Sequence, residues 1–123
     1  MYTFSKIERL CSKKAIDVLF SKGKSINQFP IKLIYIESEF EGEFPIRTMF
    51  VVPKKKHKRA NKRNLLKRRM REVYRLQKHT LYSKLENKKY DIMYIMLSNE
   101  LIEYAEIEKK ITSLNEKFIT AVS

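Results

Sequence analysis

The sequence predicts a single α+β domain with two layers and a mixed sheet, in the element order α-β-β-(β)-α-β-α. Three observations predict this class. Apolar residues recur at helical spacing in three segments, and β-branched and aromatic residues are concentrated in three others. A chain of 123 residues with 43% hydrophobic residues and only two glycines is also long and apolar enough to bury a modest core. We therefore treat residues 1–123 as one domain.

The first helix is predicted directly after an extended segment, residues 1–11, whose apolar residues include Phe4 and Ile7. Ser12 precedes the sequence KKAIDVLFSK and Gly23 follows it, as an N-cap and a C-cap do around a short helix. The apolar side of this helix consists of Ala15, Ile16, Leu19 and Phe20.

Three runs of β-branched and aromatic residues predict the main strands, at residues 31–38, 44–52 and 90–97. The polar sequence EFEGE at residues 39–43 separates the first two runs and predicts a hairpin loop. Residues 25–29 are predicted as a short edge strand. Because apolar residues occupy both parities of the long strands, we expect the sheet to be covered on both faces.

A long helix is predicted from about residue 61 to residue 85, because apolar residues recur there along one stripe. A strand, a helix and a strand in succession predict a parallel pair of strands joined by a crossover. The general rule for such connections makes the crossover right-handed. Ser98 or Asn99 is expected to cap a final helix, whose apolar residues are Leu101, Ile107, Ile111, Leu114 and Phe118.

The positive charge is concentrated in residues 54–78, which hold thirteen Lys or Arg and one acid, Glu72, and so +12 of the formal +13. Residues 54–59 are predicted as a flexible basic arm that leads into the long helix. Like charges at helical spacing repel one another, so a favourable interaction must compensate for them. Binding to a polyanion is such an interaction, because each neutralised phosphate releases counterions. The block therefore predicts nucleic-acid binding, with a merely soluble basic face as the alternative. On the helix, one arc contains Asn64, Lys67, Arg68, Arg71, Arg75 and Lys78.

The sequence VPKKKHKRANKRNLLKRRMREVYR in this block resembles the basic signature of the bacterial ribonuclease P protein component, approximately K-K…R-N-x-x-K-R-x-x-R-E. The resemblance covers about residues 4–119. Where the family usually has a further basic residue after the Arg-Asn pair, this chain has Leu65, and Arg69 one turn later is a candidate substitute. The matching positions are Lys54, Lys55, Arg63, Asn64, Lys67, Arg68, Arg71 and Glu72.

This resemblance implies a left-handed crossover, in place of the right-handed one. It also implies that the chain is the protein subunit of ribonuclease P, the ribonucleoprotein endonuclease that removes the 5′ leader from precursor tRNA. In that family the RNA subunit with bound Mg²⁺ carries out the hydrolysis, so the expected partners are the catalytic RNA and precursor tRNA. The residues expected to bind RNA are Lys54, Lys55, Lys56, Lys58, Arg59, Lys62, Arg63, Asn64, Lys67, Arg68 and Arg71.

The single-stranded leader is expected in a cleft between the first helix and the sheet. Such RNA is held by stacking on aromatic side chains beside a cationic groove. Phe20 ends the first helix and Tyr35 lies on the first long strand, while Val51 and Lys55 share one parity on the next strand and its exit. The family holds the leader with residues in similar places. The alternative is that Phe20 and Tyr35 are core residues.

No catalytic or metal-binding residue is predicted in this chain. Metal-dependent phosphodiester cleavage by a protein usually needs two or more converging carboxylates. Glu72 is expected to pair with a neighbouring arginine and Asp91 to be a turn or cap residue, while His57 and His79 have no partner in the sequence. The resemblance implies that Mg²⁺ is bound mainly through the RNA subunit.

The remaining features concern location and alternative functions. Cys11 is the single cysteine, which excludes an internal disulfide and suits a reducing cytoplasm. No apolar run approaches 18 residues, so neither a membrane span nor a membrane partner is expected. A ribosomal or other structural RNA-binding protein is the alternative to the ribonuclease P subunit.

Overall fold

The computed structural model of the protein describes residues 8–123, so Phe4 and Ile7 lie outside the described residues. The predicted order of elements is confirmed, including the short edge strand. The helices and strands are α1 (Lys13–Lys22), β1 (Lys24–Gln28), β2 (Ile31–Glu37), β3 (Ile46–Val51), α2 (Ala60–Tyr82), β4 (Tyr90–Met96) and α3 (Tyr104–Val122).

The four strands form a mixed sheet in the spatial order β1-β2-β4-β3. β1 and β2 are antiparallel, as are β2 and β4, whereas β3 and β4 are parallel. The predicted parallel pair joined by the basic helix is therefore confirmed, and its left hand stays a prediction. The predicted hairpin of β2 and β3 is wrong, because β4 lies between them. β4 is buried along almost its whole length, which suits a central strand.

The sheet is covered on both faces, as the apolar pattern of the strands predicts. α2 and α3 pack on one face and enclose the larger core, to which alternate strand residues such as Leu33, Phe50 and Tyr94 contribute. α1 packs on the opposite face, where Leu19 contacts a smaller cluster with Ile34 and Met93. α1 lies over β2 and β4, so β3 is less covered on this face.

Two predicted helix boundaries differ from the structure. α3 begins after Glu103, not after Ser98 or Asn99. Ser98 instead accepts a hydrogen bond from the Glu100 backbone N–H within the loop, and Leu101 before the helix is 41% exposed. α2 ends at Tyr82 rather than near residue 85. Apolar residues in the loops after β4 and α2 continue the helical spacing in the sequence, so both helices were predicted too long.

Candidate RNA interface

The segment between β3 and α2 is an ordered turn, so the prediction of a flexible basic arm is wrong. The backbone N–H groups of Lys56 and His57 both donate to Pro53 O, at 3.0 and 3.2 Å. The His57 side chain is buried and its Nε2 lies 2.9 Å from Ser98 O, which ties the turn to the loop after β4. Because a carbonyl only accepts, His57 Nε2 carries the proton of this bond.

Arg63 closes the turn against the start of α2. Its Nη1 donates to the carbonyl oxygens of His57 and Lys58, both at 2.9 Å. A charged guanidinium is a strong donor to such carbonyls, so Arg63 holds the basic turn at a fixed position on the helix. Arg63 was predicted only as an RNA contact, and the structure adds this scaffolding role.

Most of the predicted RNA-binding cations on the turn and on α2 are exposed to solvent. Lys56, Arg63 and Lys67 are partly exposed, and none of the predicted cations forms a salt bridge to an acid within residues 8–123. Asn64 is exposed and is not the helix cap, which is Arg59. The exposed members of the set are Lys54, Lys55, Lys58, Arg59, Lys62, Asn64, Arg68 and Arg71.

Two residues of the predicted cationic arc form ion pairs with acidic residues of the protein. Lys78 is 2% exposed and its Nζ donates to both carboxylate oxygens of Glu8, at 2.8 and 2.6 Å. Arg75 pairs with Glu72, as predicted for that acid, and the hydrogen bond from Arg75 lowers the pKa of the Glu72 carboxyl. The placement of Lys78 on the cationic arc is therefore wrong, because the helix turns that side chain into the protein.

Arg69 does not substitute for the missing basic side chain at Leu65. Its Nη1 donates to Ile102 O at 2.6 Å, in the loop that leads to α3. This contact holds the guanidinium on the α3 side of α2, away from the arc that contains Asn64 and Arg71.

The predicted leader-binding residues divide between the two faces of the sheet. Phe20 on α1 is 58% exposed, Lys55 is exposed, and Val51 packs at the margin of the α1 cluster. Tyr35 faces the other side, where its ring contacts Phe118 and Tyr90 at centroid distances of 5.1 and 6.4 Å. The prediction of one cleft containing both Phe20 and Tyr35 is therefore wrong. Successive side chains of a strand point to opposite faces, and Ile34 of β2 packs against α1, so Tyr35 points away from α1.

The α1 face also contains residues that the sequence analysis did not select. Met49 on β3 lies beside Val51 in the part of this face that α1 leaves less covered. Arg47 lies on the same parity and forms a bidentate pair with buried Asp91, with both N–O distances at 2.8 Å. Asp91 lies near the start of a strand, as predicted, but its side chain forms this pair with Arg47 in place of the predicted turn or cap role. Arg47 and Met49 could have been identified from the sequence, because they share the parity of Val51 on β3.

The described residues contain neither a metal centre nor a membrane span. Within residues 8–123, no three His, Cys, Asp or Glu side chains are grouped so as to hold a metal ion. In the same part of the chain, no helix combines the length and the apolar character needed to cross a bilayer.

Comparison with known proteins decides between the two functions that the sequence predicted. The model of the family described as Ribonuclease P matches residues 4–119. The chain belongs to the ribonuclease P protein family. The ribosomal alternative is thereby set aside.

Similar proteins support this membership along almost the whole chain. The ribonuclease P protein component of Porphyromonas gingivalis is 35% identical over 112 residues, which cover 88% of this chain and 80% of that protein. The ribonuclease P protein from Thermotoga maritima superposes with a TM-score of 0.70 at 27% identity, covering 89% of this chain and 96% of that one. The Staphylococcus aureus protein has a TM-score of 0.73 at 18% identity over 94% and 98%, which shows the shared fold.

Proposed function

We propose that this chain, as the protein component of ribonuclease P, binds the catalytic RNA through the turn of residues 54–59 and the exposed cations of α2. The observation that carries the proposal is a set of cations, held in place by the turn and α2, that have no acidic partner within residues 8–123. Each phosphate that such a cation neutralises releases counterions from the RNA. The buried His57 and the Arg63 contacts hold the turn in place, so little ordering is needed on binding.

We further propose that the single-stranded leader of precursor tRNA lies on the α1 face of the sheet. Phe20 offers an exposed ring for stacking, and Met49 and Val51 provide an apolar floor on β3. Lys55 follows β3 and supplies positive charge near the end of this floor. The leader would then lie on the α1 face and the catalytic RNA on the turn and α2, with Lys55 at the boundary between the two surfaces.

The hydrolysis that removes the 5′ leader would be carried out by the RNA subunit with Mg²⁺, in the cytoplasm. The described residues supply no carboxylate cluster for divalent ions. The protein's part is then to neutralise phosphates, orient the leader and so favour productive metal binding by the RNA.

The docking surface can be tested by the salt dependence of affinity for the catalytic RNA. Changing Lys67, Arg68 or Arg71 to Ala should each reduce the slope of log K against log salt by about 0.7–0.9. Arg63→Ala should also reduce affinity, because it releases the turn. A matched control is Lys109→Ala on the exposed side of α3, which should leave the slope unchanged. Unchanged slopes for all three α2 variants would refute the proposed surface.

The leader site can be tested with two exposed phenylalanines. Phe20→Ala should weaken binding of precursor tRNA by roughly fivefold to a hundredfold, as expected for one lost stacking contact, and leave mature tRNA unaffected. Phe29→Ala is the control, since Phe29 is 67% exposed on the turn between β1 and β2. Equal losses for precursor and mature tRNA, or equal effects of both variants, would refute the site.

A further inference from the structure

The segment before α1 forms a wall beside α2 that the sequence signature does not include. Arg9 makes a parallel bridge to Thr48 on β3, and the Leu10 backbone N–H donates to Thr48 O at 2.8 Å. This segment therefore extends the sheet beyond β3.

A buried ion pair fixes the position of this segment. The Glu8 carboxylate is 1% exposed and receives hydrogen bonds from Lys78 Nζ and from the Tyr82 hydroxyl, the latter at 2.8 Å. Both donors belong to α2, so the side chain next to Arg9 is anchored on the helix that contains Lys67 and Arg71.

A small cationic groove lies between the segment and α2. Its volume is about 180 Å³, roughly the space of six water molecules in the liquid, which is enough for a phosphate group. The lining includes three cations, Arg9, Lys67 and Arg71, and no acidic residue. Thr48, Met49 and Phe50 of β3 form part of the remaining wall.

We propose that Arg9, Lys67 and Arg71 together bind a single phosphodiester group of the catalytic RNA in this groove. The inference rests on the proposed function, because it takes the RNA to approach α2. It adds a second element to the interface, in which the segment before α1 and the helix grip the same phosphate from two sides. Three cations around one small groove repel each other, and the attraction of all three to a bound phosphate offsets that repulsion.

A double-mutant cycle measures whether two cations share one phosphate. Arg9→Gln and Arg71→Gln should each weaken RNA binding roughly tenfold or more, as expected for a lost hydrogen bond to a charged group. The double variant should lose clearly less than the product of the two single losses, because the first change already removes the shared contact. Arg9→Lys should retain the salt slope of the wild-type protein.

Arg68→Gln provides the matched control, since Arg68 lies on α2 but not in the groove. The losses from Arg9→Gln and Arg68→Gln should multiply. If Arg9→Gln has no effect while Arg68→Gln and Arg71→Gln weaken binding, the groove is refuted and the proposed function stands. If the losses from Arg9→Gln and Arg71→Gln multiply, a shared phosphate is refuted. If none of the three changes weakens binding, both proposals fail. Circular dichroism of each variant confirms that the fold is retained.

Discussion

Single residues in this protein show how the same charge serves two different purposes. Lys78 follows Arg71 by seven residues, at nearly the same angle around the helix, yet Lys78 is buried in an ion pair and Arg71 is exposed. The wheel position of Lys78 adjoins the apolar stripe, and its partner Glu8 is 70 residues away in sequence. No local pattern could reveal that pairing, so Lys78 was wrongly included in the predicted cationic arc.

The buried pair predicts a large and specific loss of stability. Glu8→Ala leaves the Lys78 ammonium buried without its carboxylate, and we expect the free energy of unfolding to fall by about 3–5 kcal/mol. The control is Glu72→Ala, which breaks the surface pair with Arg75 and should change stability by less than about 1 kcal/mol. Urea denaturation of both variants measures the difference. Similar small losses for both would show that the Glu8 pair is not a buried anchor.

Buried tyrosines predict a loss of stability at alkaline pH. Burial raises the pKa of Tyr74 and of Tyr94 well above the ordinary value of about 10. The unfolded chain therefore loses these protons first as the pH rises above about 10, while the folded protein keeps them. Stability from each group is complete below that pH and falls by about 1.4 kcal/mol per pH unit above it.

The test compares the wild-type protein with Tyr94→Phe in denaturant titrations between pH 9 and 11. We expect the variant to be less stable at pH 9, because Asn115 Oδ1 loses its hydrogen bond from the Tyr94 hydroxyl. Its stability should nevertheless decline less steeply above pH 10. Parallel curves for the two proteins would contradict the raised pKa of Tyr94.

At the scale of elements, the docking of α1 depends on one glycine. Gly23 follows the helix, and a Cβ there would lie 2.4 Å from Leu19 O and 2.6 Å from Ile34 Cγ2. The sequence predicted Gly23 as a C-cap, but the requirement comes from the close approach of α1 to the sheet, since its φ of −69° is open to any residue.

Gly23→Ala should therefore destabilise the protein by about 1–3 kcal/mol, as overpacking does in a close contact. Ser25→Ala, at an exposed position of β1, is the control and should change stability by about 0.5 kcal/mol or less. Thermal unfolding of both variants checks the expectation. An unchanged melting temperature for Gly23→Ala would show that α1 can move away from the sheet at little cost.

The elements and the parallel pairing of β3 with β4 could be predicted from the sequence, whereas the full order of the strands could not. Hydrophobic periodicity and caps located α1, the four strands and α2 to within a few residues. The position of β4 between β2 and β3 depends on contacts distant in sequence, so the loop of residues 39–43 was mistaken for a hairpin. The same limit applies to Tyr35, because which parity of β2 meets α1 is decided by packing and not by local pattern.

At the scale of the whole molecule, charge and apolar surface are separated. The window of residues 54–78 holds +12 of the net charge of +13, and the structure presents most of it from one turn and one helix. The α1 face instead offers Phe20 beside half-buried aliphatic side chains. If the proposed function holds, this separation would let one small domain bind a folded RNA by charge and a single strand by stacking.

We expect this chain to act in leader removal only together with the catalytic RNA. The most direct measurement combines rigorously RNA-free protein, bacterial ribonuclease P RNA and precursor tRNA, at a Mg²⁺ concentration too low for the RNA alone to cleave. We expect the chain to restore cleavage at the junction of leader and mature tRNA, and to cleave nothing by itself. Failure of the folded chain to restore cleavage would contradict the account, as would Mg²⁺-dependent cleavage by the chain alone that Asp91→Ala or Glu72→Ala abolishes.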